Sequence, residues 1–70
     1  MKEFTLNGEA FIELDKLLKL LRLVNSGGEA HLAITEGEVR VNGIPETRKR
    51  KKLVPGDLVQ FQTDEIRIIA

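Results

Sequence analysis

Apolar and polar residues follow a helical period in the first half of the chain and a period of two in the second half. From about Phe11 to Leu23, leucines recur three and four residues apart, at positions 14, 17, 18 and 21, and Val24 continues the same face. This spacing predicts an amphipathic first helix. Before it, the alternation of Phe4-Thr5-Leu6 and the Asn7-Gly8 pair predict a short strand or extended arm that ends in a turn.

A second helix is predicted to begin at Ser26 and to end before Gly37. Ser26 and Glu29 have the spacing of a capping box, in which each side chain bonds a free backbone N–H group at the start of a helix. Gly37 suits the position just after a helix, where a left-handed backbone is common. Small residues at positions 30 and 33 allow the two helices to approach closely, as in a helix-turn-helix pair.

After Gly37 the pattern predicts strands. Val39 and Val41 alternate with polar residues and lead into Asn42-Gly43, a strong signal for a hairpin turn. Two closing strands are predicted at Leu58–Gln62 and Glu65–Ile69, after a turn at Pro55-Gly56-Asp57. The inward side chains are predicted to be Val59 and Phe61 on one strand and Ile66 and Ile68 on the other. Two helices followed by a series of strands indicate an α+β fold.

Size and composition narrow the class of protein. The 70 residues predict a single domain, residues 1–70, and 41% hydrophobic with 31% charged residues is typical of a folded chain. The absence of cysteine excludes disulfides, zinc–thiolate sites and cysteine nucleophiles. No stretch approaches the roughly 18 apolar residues of a membrane span, and the first residues lack the apolar core of a secretory signal. We therefore expect a soluble, cytoplasmic monomer with no membrane partner.

Charge is concentrated in one segment. Formal net charge is zero, yet five of the eleven cations stand together: Arg48, Lys49, Arg50, Lys51 and Lys52. Such a cluster favours a polyanion as partner, although a solvated loop is the alternative interpretation. In an extended strand Arg48, Arg50 and Lys52 would project together, with Lys49 and Lys51 on the opposite side. The segment is predicted to be an exposed connection or strand edge.

Patterns that would indicate catalysis or a cofactor are missing. There is no glycine-rich phosphate loop followed by lysine, and no arrangement of a nucleophile with a base. His31 is the single histidine and has no second ligand at metal-binding spacing, so we expect a partly exposed histidine and no metal. Glu13 and Asp15 diverge on a helix and do not form an acid–base pair. We expect no catalytic residues, no cofactor and no small-molecule substrate.

The order of these signals resembles the S4 RNA-binding domain, and the short length is similar to small stand-alone bacterial members of that family. The resemblance covers about residues 12 to 61 and rests on residues that stand in the family's order and spacing. They are Leu14-Asp15, Ser26, Ala30, Ile34, Gly37, Val39, Val41-Asn42-Gly43 and Pro55-Gly56-Asp57. It implies an S4-like fold (αL motif), with a helix pair packed on a small, bent antiparallel sheet.

The resemblance also implies an RNA-binding surface at the start of the second helix and the adjoining hairpin. By position it includes Ser26, Gly27, His31, Arg40, Asn42 and Gly43, flanked by Arg48 to Lys52. Structural roles are the alternative to RNA contact for several of these residues. Ser26 is expected to cap a helix, Asn42-Gly43 to form a turn, and Arg40 to have Glu38 or Glu46 as an ion-pair partner. The family pattern usually has arginine where this chain has Gly27, and often glycine where it has Arg22.

The predicted function is non-catalytic binding of structured or double-stranded RNA, with ribosomal and transfer RNA as candidates. The chain has three phenylalanines and no tyrosine or tryptophan, and Phe4, Phe11 and Phe61 are all expected in the core. Phosphate contacts from the basic segment should then outweigh base stacking. One alternative is a protein-interaction module that exposes Leu20, Leu23 and Leu32, although we expect these leucines to complete the core against the first strand. DNA binding is weaker, because residues 27 to 36 hold no Arg, Lys, Asn or Gln to contact base edges.

Overall fold

A computed structural model describes all residues from Met1 to Ala70, and it has the predicted α+β architecture. The elements in chain order are β1 (Lys2–Thr5), β2 (Ile12–Glu13), α1 (Leu14–Leu20), α2 (Gly27–Thr35), β3 (Val39–Val41), β4 (Ile44–Pro45), β5 (Lys52–Leu53), β6 (Leu58–Phe61) and β7 (Asp64–Ile69). Neither helix has the length and apolar character that a membrane span requires.

Five strands form one sheet in the order β1-β7-β6-β3-β4. The pairs among β7, β6, β3 and β4 are antiparallel, as predicted, but β1 runs parallel to β7. The sheet is therefore mixed, and this corrects the expectation of a purely antiparallel one. Alternation within a four-residue strand indicates which side chains point inward and carries no information on the direction of its partner. A separate two-stranded ladder joins β2 to β5.

The first helix is shorter than predicted at both ends. Ile12 and Glu13 belong to β2 because they pair with Leu53 and Lys52, and α1 ends at Leu20. Beyond it, Arg22 has a left-handed backbone, with φ of 58°. Glycine adopts that conformation without a steric cost, which explains why the family pattern often places glycine there. The leucine periodicity continues past the point where the backbone leaves the helix.

The second helix follows the prediction closely. Ser26 is its N-cap and accepts a hydrogen bond from the Glu29 N–H at 3.2 Å. The Glu29 carboxylate accepts from the N–H of Asn25 at 2.6 Å, one residue earlier than in a standard capping box. The helix ends before Gly37, whose φ is 76°. Both predicted ends of α2 are thus confirmed.

One hydrophobic core joins the helix pair to the sheet. All fourteen buried residues are apolar, and they include Leu14, Leu17 and Leu18 of α1 and Ala30, Ala33 and Ile34 of α2. The predicted inward side chains of the closing strands, Val59, Phe61, Ile66 and Ile68, are all buried. With the hairpin turn at Asn42-Gly43, where both residues have positive φ, the second half of the chain agrees well with its pattern.

Candidate nucleic-acid interface

The basic segment Arg48–Lys52, hereafter the basic loop, is fixed to the start of α1 through its main chain. The Lys51 carbonyl accepts a hydrogen bond from the Leu14 N–H at 2.9 Å, and the Lys49 carbonyl accepts from the Asp15 N–H at 3.1 Å. These are free N–H groups of the first helical turn, and the N-cap residue Glu13 provides no side-chain bond to them. The loop therefore caps α1, and its side chains remain available to solvent.

Four cationic side chains of the basic loop line one shallow depression of about 430 Å³ that contains no hydrophobic residue. Arg48, Arg50 and Lys52 lie together as predicted, and Lys51 joins them. The alternation of an extended strand does not apply to Lys51, because the chain turns at residues 49 and 50 and only Lys52 lies in a strand. The side chain of Lys49 does not line this depression.

One of these cations already has a partner. The Arg48 guanidinium donates two hydrogen bonds to the Glu46 carboxylate, at 2.9 and 3.1 Å. The Glu46 carboxylate also accepts from the Arg48 N–H, at 3.0 Å. These bonds hold the pKa of Glu46 below its ordinary value and raise the pKa of Arg48. Lys49, Arg50, Lys51 and Lys52 form no ion pair, so the field of the loop comes mainly from these four.

Phe11 does not lie in the core, contrary to expectation. It is 39% exposed, whereas Phe61 is buried and Phe4 packs partly against the core. The Lys52 ammonium lies 4.9 Å from the centre of the Phe11 ring, within the range of a cation–π contact. The short β2–β5 ladder explains this position, because it begins at Ile12 and leaves Phe11 just outside, next to the basic loop.

At the start of α2 a lysine from α1 lies near Gly27. A Cβ atom built on Gly27 would be 3.9 Å from the Lys19 ammonium nitrogen. Lys19 thus brings a cation to the position where the family pattern usually has an arginine. The Ser26 hydroxyl caps the helix, so it already has a hydrogen-bond partner within the protein. Nothing in the local sequence marks Lys19 as a site residue, because its position depends on how the two helices pack.

His31 is half-buried between the helices. Its Nε2 atom lies 3.0 Å from a carboxylate oxygen of Asp15. The backbone N–H of Asp15 donates to Lys49, so Asp15 connects the histidine of α2 to the basic loop. Thr35 donates its hydroxyl to the backbone carbonyls of His31 and Leu32. The expectation of a partly exposed histidine is confirmed, and the role of Asp15 as its partner is new.

The hairpin residues differ from the basic loop in how their side chains are used. Asn42 donates to the Asp57 carboxylate at 3.0 Å, and its carbonyl oxygen accepts from the Leu58 N–H at 2.9 Å. Arg40 forms no ion pair with Glu38 or Glu46; its guanidinium donates to the Gly43 carbonyl at 3.3 Å. Arg40 is exposed, while the amide of Asn42 is occupied within the fold.

The three leucines of the alternative hypothesis do not form one surface. Leu20 and Leu32 are 63% and 58% exposed, so the preference for placing them in the core was wrong. Leu23 packs partly against the core, as expected. Leu20 lines a groove beside β1 and α1, whereas Leu32 lines another depression with Leu23 beside β6. The exposed leucines thus belong to two separate parts of the surface.

This fold, with a helix pair on a small sheet and a basic loop at the start of the first helix, defines the class of protein. The model of the S4 domain family matches residues 4–69, and the chain belongs to that family. The match extends beyond residues 12 to 61, where the sequence motifs lie, and includes Phe4 and Thr5 of β1 and all of β7.

Two named relatives and one solved structure are similar to this chain over most or all of its length. It is 43% identical over 70 residues to the Escherichia coli protein named "Putative RNA-binding protein YbcJ", with all of both chains aligned. It is 41% identical over 51 residues to the Bacillus subtilis "Probable ribosome maturation protein RlbA", covering 73% of this chain and 72% of that one. The solution structure of YbcJ from E. coli, described as revealing an alfaL motif involved in RNA-binding, superposes with a TM-score of 0.75 over all of this chain and 89% of the other.

Proposed function

We propose that this protein is a non-catalytic RNA-binding protein that holds structured RNA through phosphate contacts from the basic loop. The observation that carries the proposal is the set of four cations, Lys49 to Lys52, that have no ion-pair partner in a chain of zero net charge. The main chain of the loop is fixed by hydrogen bonds to α1, so these cations are presented from a defined position. When such cations neutralise phosphates, the counterions condensed on the RNA are released, and this release drives binding.

Neighbouring residues extend this surface. We infer that His31 lies beside the bound backbone, since Asp15 links it to the loop, and that Lys19 supplies a cation near Ser26 and Gly27. Arg40 contributes a further exposed cation, oriented by the carbonyl of Gly43. Asn42 acts indirectly, because its side chain fixes the hairpin to Asp57 and Leu58.

The relatives favour this function over the alternatives. One full-length relative carries RNA binding in its name, and a second is named for ribosome maturation, which favours ribosomal RNA among the candidate ligands.

We propose that the protein acts as a monomer in the cytoplasm. Both edges of the sheet support a monomer: β4 has two residues and ends in Pro45, and β1 carries Lys2 and Glu3. Short, charged or proline-containing edges oppose strand addition.

Binding across a salt series tests the proposal. The probes are a stem–loop RNA and a DNA hairpin of the same sequence. We expect the RNA to bind more tightly, with a log–log slope of about −3 to −4 if the four unpaired cations each neutralise about one phosphate. Replacing both Arg50→Gln and Lys51→Gln should reduce this slope by about 2 and the affinity by at least about tenfold.

A matched control separates position from net charge. The double variant Gln62→Glu with Thr63→Glu also adds two negative units, at the exposed β6–β7 turn. It should bind RNA within about twofold of the wild-type protein at moderate salt, where distant charges are screened. Equal losses in both double variants would refute the basic loop as the contact surface. Failure of the wild-type protein to bind any RNA at low salt would refute the function itself.

A further inference from the structure

A groove with an apolar lining adjoins the basic loop at Phe11. It has a volume of about 530 Å³, and its six apolar residues are Phe4, Leu6, Ala10, Phe11, Ile12 and Leu20. Ligand sites commonly have volumes of about 300 to 1,000 Å³ and combine apolar walls with a few polar groups. The polar groups here are Glu9, Glu13 and Lys16. The groove is thus large enough for a planar organic group.

The groove and the basic loop meet at one contact. Phe11 lines the groove, Lys52 lines the basic depression, and the Lys52 ammonium lies 4.9 Å from the centre of the Phe11 ring. A ligand that spans the two sites must therefore be anionic at one end and flat and apolar at the other. A nucleotide has this character, because its phosphate is charged and both faces of its base are π-surfaces.

Charge assigns the two ends of such a ligand. Glu9 and Glu13 border the groove, and their carboxylates repel phosphate while accepting hydrogen bonds from amino groups on a base edge. The Lys16 ammonium lies 3.9 Å from Glu13 and offsets part of that negative charge. Phosphate is therefore favoured in the basic depression and the base in the groove.

We propose that the groove holds one unpaired, amino-bearing nucleobase of the RNA, stacked on Phe11, while the basic loop holds the adjoining phosphates. This inference rests on the RNA-binding function proposed above. It changes the expected ligand from a uniform duplex to a helix that carries a bulged or flanking unpaired nucleotide. Stacking requires an exposed aromatic ring, and Phe11 is the phenylalanine that the fold leaves on the surface.

Two blunt-ended RNA duplexes of the same sequence test the proposal, one fully paired and one with a single bulged adenosine. We expect the wild-type protein to bind the bulged RNA about tenfold more tightly, since stacking of one base on an aromatic side chain has that magnitude. Phe11→Leu should reduce the preference to about one, because it keeps an apolar side chain and removes the ring. Phe11→Tyr should retain the preference. Thermal unfolding of each variant verifies that it is folded.

A second readout follows the bulged base directly. With 2-aminopurine at the bulge, stacking on Phe11 should quench its fluorescence on binding, and Phe11→Leu should abolish the quenching. Equal affinity of the wild-type protein for the two RNAs, or unchanged preference in Phe11→Leu, would overturn the stacking proposal and leave the function intact. In that case Arg50→Gln with Lys51→Gln would still weaken both RNAs. Absence of binding to either RNA by the wild-type protein would overturn both proposals.

Discussion

The basic loop and the hairpin turn at Asn42-Gly43 both stand in the part of the chain that family resemblance associates with RNA, yet they use their atoms in opposite ways. In the loop, the carbonyls of Lys49 and Lys51 make the structural hydrogen bonds, and the side chains of Lys49, Arg50 and Lys51 form no hydrogen bond or ion pair. In the turn, the side chain of Asn42 makes the structural hydrogen bonds. A surface residue is available to a ligand when its backbone, and not its side chain, holds the fold together.

The largest effect expected from this difference is on stability. Asn42→Ala removes two side-chain hydrogen bonds and should lower the free energy of unfolding by about 1 to 2 kcal/mol. Its affinity for RNA, measured on the folded protein, should stay within about twofold of wild type. Chemical denaturation and RNA titration on the same sample measure both quantities.

Asn7→Ala is the matched control for that variant. Asn7 also precedes a glycine and has a positive φ of 54°, close to the 55° of Asn42, but its side chain forms no hydrogen bond. The difference between the two alanine variants therefore isolates the side-chain bonds from the shared turn conformation. A loss of RNA affinity in Asn42→Ala with unchanged stability would contradict the comparison and make Asn42 a direct contact.

A smaller effect is expected within the basic loop. Glu46→Gln removes the carboxylate that occupies Arg48 and so adds a fifth unpaired cation to the loop. We expect RNA affinity to rise about threefold and the salt slope to steepen by up to about 1. Glu65→Gln serves as control, since it removes one negative charge from β7 and leaves the loop unchanged. If both variants gained equally, net charge and not the release of Arg48 would be the cause.

The smallest effect expected is a dependence of stability on pH. The hydrogen bonds from Arg48 lower the pKa of Glu46 in the folded state from its ordinary 4.5. Their contribution to stability is therefore fully present above about pH 4.5 and is lost as the pH falls through the lower, folded-state pKa. The stability difference between wild type and Glu46→Gln should be constant from pH 5 to 7 and shrink on acidification. Thermal unfolding from pH 7 down to about pH 3 measures the difference, and a difference that grew toward low pH would contradict the assignment.

Local patterns predicted those features of the fold in which the interacting residues are close in sequence. The capping box at Ser26, the glycine after α2 and the turn at Asn42-Gly43 each involve residues within a few positions, and each was predicted from the chain alone. The end of α1 was not, because its leucine periodicity continues through Leu21 while the backbone at Arg22 becomes left-handed. The spacing of apolar residues does not specify the backbone conformation at which a helix ends.

The candidate site was predicted only in part, because several of its features depend on packing between residues far apart in sequence. The five cations of the basic loop are visible in the sequence, whereas the partner of Arg48, the exposure of Phe11 and the approach of Lys19 to Gly27 depend on packing. Glu46 stands only two residues from Arg48, and this proximity was the one feature of the sequence that could have predicted their ion pair. For Phe11 there was none, because its exposure follows from the pairing of Ile12 with Leu53.

The hydrogen bonds between the basic loop and α1 also determine when the surface exists during folding. They join residues 14 and 15 to residues 51 and 49, so the loop reaches its native position only after the two halves of the chain have met. Closing such a long segment costs entropy that local contacts do not repay, so we expect it to form late in folding. In a nascent or unfolded chain, the same five cations form a flexible polycation that attracts any polyanion without selectivity. The completed fold is what converts this general attraction into an oriented surface.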